Sequence, residues 1–146
     1  ETSEVRDRIC QIADREVPKL AMCNVAVPEG LTIKFEDTLS DGCMGVFHCG
    51  KARISLLPPD LMAKHRALDL AFADVLDESY FDSVVVHELT HAAYDTGECP
   101  FTDCLATAEY AAYGKQVRSL PPGARDVFET TSTFDQRIAR DGLSAI

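Results

Sequence analysis

Histidine is scarce in this chain, four residues among 146, and basic residues are outnumbered, 14 Lys and Arg against 24 Asp and Glu. The formal charge of −10 argues against nucleic acid or an anionic membrane as partner, since both repel an acidic surface. No apolar run approaches the roughly 20 residues that a membrane span needs. The longest candidates, residues 67–76 and 84–93, are interrupted by Asp69, Asp74, His87 and Glu88. Low-complexity tracts, internal repeats and linker-like stretches are missing as well, so residues 1–146 are expected to form one domain. With 46% hydrophobic residues, that domain has ordinary material for a core.

The six cysteines include no Cys-x-x-Cys, which removes the usual signature of a thiolate zinc site. They fall instead into three local pairs, Cys10 with Cys23, Cys43 with Cys49, and Cys99 with Cys104. An even count at this density implies an oxidising compartment and up to three disulfides, read here as the local pairs. Glu1 opens directly into polar sequence, which is compatible with a mature form whose leader has been removed. A periplasmic or extracellular monomer is the resulting expectation.

Hydrophobic spacing divides the chain into a strand-bearing first half and a helical second half. Val5, Ile9, Ile12 and Ala13 predict an amphipathic helix over 3–17, stopped by Pro18. Apolar–polar alternation over 31–36 predicts a half-buried strand, and 44–49 and 52–57 predict two more around Gly50-Lys51. Leu61, His65, Leu68 and Phe72 predict a helix over 60–76. Ser79 and Asp82 resemble a capping box for a helix over 80–95, despite the strand preference of Val84-Val85-Val86. Thr102 can cap a helix reaching Arg118, and a last helix is expected over 124–140, with Arg137 and Arg140 near its end suiting the helix dipole. The fold class is therefore α+β: an N-terminal helix and a short antiparallel or mixed sheet packed on a helical C-terminal half.

Two of the four histidines stand in His87-Glu88-Leu89-Thr90-His91. At about 100° per residue, positions four apart lie one above the other on a helix, so both imidazoles can reach one cation. Glu88 then flanks the pair, where its carboxylate can take a proton from metal-activated water. The rival reading is a helix carrying two solvated or hydrogen-bonded histidines and no metal.

A catalytic zinc usually has three protein ligands and one open position, so a third must come from downstream. Asp95 sits one turn too far along the same helix and suits a supporting carboxylate better. Asp103 is expected at the start of the next helix, where an acid ordinarily complements the dipole. Glu109 lies in Thr107-Ala108-Glu109-Tyr110-Ala111-Ala112-Tyr113, an isolated carboxylate in a small, apolar segment, and is the best candidate. Its rival reading is an exposed charge on an amphipathic helix. Tyr94, Tyr110 and Tyr113 are weaker candidates as donors to a developing oxyanion. His48 and His65 carry no assigned role.

A strand-rich first half, an HExxH helix and a following glutamate-bearing helix together resemble the gluzincin branch of the zincin metallopeptidases, over about residues 52–118. The resemblance implies Zn²⁺ held by His87, His91 and Glu109, Glu88 as general base, and hydrolysis of a peptide or protein substrate. It also implies that an edge strand within 44–57 pairs with an extended substrate. Gluzincins often carry an acid four positions after the glutamate to orient a histidine, and here that place is Tyr113. The short chain and the missing acid motivate a second expectation, a zincin-like module that binds metal or a protein partner and hydrolyses little. A third is a disulfide-stapled adaptor in which the motif binds no metal.

Overall fold

The computed structural model describes residues 2–23, 25–40, 42–66, 72–95 and 104–131. Its order is α1 (Thr2–Ala21), β1 (Thr32–Phe35), β2 (Gly45–His48), β3 (Arg53–Leu56), α2 (Pro59–His65), α3 (Asp77–Asp95), α4 (Cys104–Ser119) and α5 (Pro122–Thr131). The fold is α+β, as the patterning predicts.

The strands form a mixed sheet in the order β1-β3-β2, with β3 parallel to β1 and antiparallel to β2. Among the described residues both β1 and β2 are edges. Gly50, at φ 73°, supplies the left-handed backbone that the β2–β3 turn requires. The Leu57 N–H bonds the Met44 carbonyl at 3.0 Å, making that residue pair hydrogen-bonded. By the alternation of antiparallel pairing, Gly45 and Phe47 turn their amide groups away from β3, toward the open edge.

Helix α3 is the centre of the molecule. It packs against α4, α1, α2, β2 and β3, and Tyr80, Val84, Val85, Val86, Leu89, Ala92 and Ala93 are all buried. That burial explains why three consecutive valines are helical here: packing on several sides outweighs a local propensity difference of well under about 1 kcal/mol per residue. Thr90, fully buried, satisfies its hydroxyl on the Val86 carbonyl at 2.8 Å.

Several boundaries differ from the sequence expectations. Helix α1 passes through Pro18 to Ala21; in the last turn a missing N–H removes only one bond, and the wholly buried Leu20 anchors the extension. The helix expected over 60–76 ends at His65. Arg66 instead bonds the Phe72 and Ala73 carbonyls and Asp77. Helix α3 begins at Asp77 rather than Tyr80, with its first bond from the Tyr80 N–H to the Leu76 carbonyl at 2.8 Å. Ser79 and Asp82 therefore lie inside it, and Asp82 takes a two-pronged contact from Arg8 on α1 instead of capping. The last helix starts at Pro122, while Thr102, Arg137 and Arg140 lie outside the described residues.

The local cysteine pairs are corrected too. Cys23 is pinned to the end of α1 through its N–H and the Leu20 carbonyl, 2.9 Å apart. Cys10 lies about 15 Å back along that helix by the 1.5 Å rise per residue, far beyond the roughly 7 Å limit for a disulfide. Cys43 and Cys49 are separated by the full length of β2, about 10 Å by the rise per strand residue. All four are free thiols, and the Cys99–Cys104 pairing falls outside the described side chains. No helix among the described residues is long and apolar enough to cross a membrane.

Candidate metal centre

The HExxH pentapeptide occupies the second half of α3, and its i, i+4 spacing brings the two imidazoles together. Their Nε2 atoms are 3.1 Å apart, with ring centroids separated by 4.8 Å. Helix α4 supplies the third group. Glu109 places Oε1 3.2 Å from His87 Nε2 and Oε2 3.0 Å from His91 Nε2. The close approach of the two helices has a sequence cause, since each buries small residues: Ala92 and Ala93 on α3, Ala111 and Ala112 on α4.

Four-coordinate zinc with bonds of about 2.0–2.2 Å spaces its ligand atoms about 3.3–3.6 Å apart, the edge of the tetrahedron. The two imidazole nitrogens are 3.1 Å apart and each lies 3.0–3.2 Å from a different oxygen of Glu109; taking one ligand atom from each residue, the three lie within 4.8 Å of one another, close enough to share one cation. Two imidazoles and one carboxylate are also the ligand chemistry of hydrolytic zinc. Among the described residues, His87, His91 and Glu109 are the members of this cluster.

Glu109 differs from its sequence expectation in one respect. It is 60% exposed, not a carboxylate forced into an apolar face, and the imidazole pair rather than burial confines it. Hydrogen bonds from His87 and His91 hold its carboxyl well below the usual carboxylate range. At His87, burial opposes the charge, but Glu109 and Glu88 outweigh it and the imidazole is raised.

Glu88 stands apart from the cluster, 6% exposed and packed toward β2. Burial pushes its carboxyl up, while His87 and His91 and a hydrogen bond from the Phe47 backbone N–H pull it back. Space for it exists because residue 45 is glycine. A Cβ on Gly45 would lie 2.8 Å from Glu88 Cγ and 2.8 Å from Leu56 Cδ2. Gly45→Ala is therefore expected to cost about 1–3 kcal/mol in urea unfolding, the usual penalty of overpacking, and to displace Glu88; an unchanged midpoint would show that the strand yields freely.

A cleft of about 290 Å³ opens beside these groups, lined by His87, Glu88 and Glu109 and by Gly45, Phe72, Tyr80, Val84 and Tyr113. Larger hollows flank α1 but are lined by none of His87, Glu88, His91 and Glu109. Tyr113 packs edge-on against Phe72, with centroids 5.8 Å apart, at the wall of the cleft. Tyr110 is exposed, and burial, with a smaller contribution from Cys23, raises the Tyr94 phenol. Asp95 accepts the Gly50 N–H at 3.0 Å and ties the end of α3 to the β2–β3 turn. His48 bonds Ser55 at 2.8 Å, His65 ends α2, and Asp103 lies outside the described residues.

Three contributors were not anticipated from sequence. Gln116 Oε1 lies 2.8 Å from His87 Nδ1 and so can orient that imidazole. It is seven residues after Glu109, two turns along the same face of α4, and that periodicity is the signal that could have found it. Ser83, four residues before His87, contacts Gln116 at 3.2 Å. Gly45 carried no usable signal, because nothing in a lone strand glycine announces the carboxylate across from it.

The whole chain, residues 1–146, matches the family described as "Family of unknown function (DUF6639)", and the chain belongs to that family. No curated protein and no solved structure matches it.

Proposed function

We propose that this member of the family is a small zinc metallopeptidase, with His87, His91 and Glu109 as metal ligands and Glu88 as general base. The observation that carries the reading is the convergence of two imidazoles and a carboxylate from two helices, with one ligand atom from each within 4.8 Å of the others, and a separate buried carboxylate on the adjacent residue of the motif. Zinc bound there would supply a Lewis acid for a carbonyl and activate water near neutral pH.

The chain's own groups account for the remaining requirements. Glu88 is the proton acceptor, held by the Phe47 N–H and by burial that raises its carboxyl toward the working range of a base. The exposure of Glu109 leaves the centre open to solvent and to substrate. Strand β2, an edge, offers outward amide groups at Gly45 beside the cleft, where an extended peptide can add as a further strand. Main-chain pairing of this kind selects for extended polypeptide and leaves side-chain preference to the cleft.

The test is zinc stoichiometry together with hydrolysis of a mixed peptide library. One zinc per chain, cleavage abolished by a chelator and restored by zinc, is the expected result. Failure to bind zinc on titration ends the metal reading. Stoichiometric zinc without cleavage of any peptide would instead favour the non-hydrolytic module.

A further inference from the structure

We propose that Gln116 acts as a positioning residue that reserves Nε2 of His87 for the metal, through a relay anchored on the Tyr80 backbone carbonyl; this rests on the metal-site reading above. The direction of every bond in the relay follows from its fixed end. A backbone carbonyl only accepts, so the Ser83 hydroxyl, 2.7 Å from the Tyr80 oxygen, donates its single proton there. Only lone pairs remain on Ser83 Oγ for Gln116. The group facing it at 3.2 Å is therefore the amide nitrogen.

That choice turns Gln116 Oε1 toward His87 Nδ1, 2.8 Å away. An amide oxygen only accepts, so Nδ1 carries the proton. In a neutral imidazole the lone pair is then on Nε2, the atom facing Glu109 and His91. Ser83 is 1% exposed and Gln116 4%, so solvent does not compete for these bonds. A neutral amide orients the ring without adding a charge, unlike the carboxylate that commonly holds a metal-binding histidine.

The experiment measures zinc affinity by chelator competition for wild type, Gln116→Leu, Gln116→Glu and Ser83→Ala, with the His87 Nδ1 proton followed by NMR. Gln116→Leu is expected to weaken zinc binding about 10–100-fold and to lose the slowly exchanging Nδ1 proton signal. Ser83→Ala, a smaller change, should weaken binding severalfold by releasing the amide, and so keeps the test open if the leucine variant does not fold. Gln116→Glu should bind zinc at least as tightly as wild type. Folded Leu and Ala variants with wild-type affinity and an unchanged Nδ1 signal would overturn the proposal. If wild type itself binds no zinc, the metal reading fails separately, while the Nδ1 signal of the metal-free protein still decides the role of Gln116.

Discussion

Glu88→Gln is expected to leave zinc binding intact and to lower the rate of peptide hydrolysis by about 10²–10⁴-fold, the usual contribution of a positioned general base. The substitution is nearly isosteric, and it removes the group's ability to take a proton. The carboxylate is not a member of the ligand cluster, so stoichiometry should stay at one zinc per chain. Its neighbourhood should tolerate the change. Glu88 is buried and burial already disfavours its charge, so a neutral amide removes a desolvation cost and thermal stability should hold or rise slightly. The Phe47 N–H still finds an oxygen acceptor on the glutamine. The measurements are zinc content, melting temperature and turnover on the same preparation. Undiminished turnover would remove Glu88 as the base; lost zinc would mean that it supports the metal instead.

Glu109→Ala should have the complementary outcome. Zinc affinity is expected to fall by about 10²–10³-fold, because one of four ligands accounts for roughly a quarter of the 10–16 kcal/mol typical of protein-bound zinc. The fold should survive, since the side chain is 60% exposed and an exposed ion pair contributes little to stability. Competition with a chromophoric chelator measures the first effect and circular dichroism the second. Undiminished affinity would show that the third ligand lies elsewhere in the chain. The two variants thus separate holding the metal from moving the proton: one loses zinc, the other keeps it and loses turnover.

Packing around α3 explains why both variants can be read cleanly. Helix α3 is surrounded by α4, α1, α2, β2 and β3, and the candidate ligands and Glu88 are mounted on regular elements rather than on loops. Rigid mounting of this kind keeps donor geometry within the tolerance that metal binding demands. The cost of disturbing it is concentrated at a few positions, of which Gly45 is the clearest because two side chains already occupy the space of its missing Cβ.

The pentapeptide, its helix, the three strands and the later glutamate were all legible in the amino-acid order, because each depends on short-range periodicity. Spacing of four within a helix determines that His87 and His91 share a face, whatever surrounds them. Alternation likewise marked the strands to within a residue or two of β1, β2 and β3. Helix ends were less legible, because Arg66, Asp82 and Leu20 have long-range partners or burial that local propensity does not contain. Only the tertiary structure decided that Glu109 faces the imidazoles, that Gln116 and Ser83 orient His87, and that Gly45 makes room for Glu88. These are contacts between elements distant in sequence, and the approach of two helices or of a helix and a strand is determined by how whole surfaces pack, not by the period of either one.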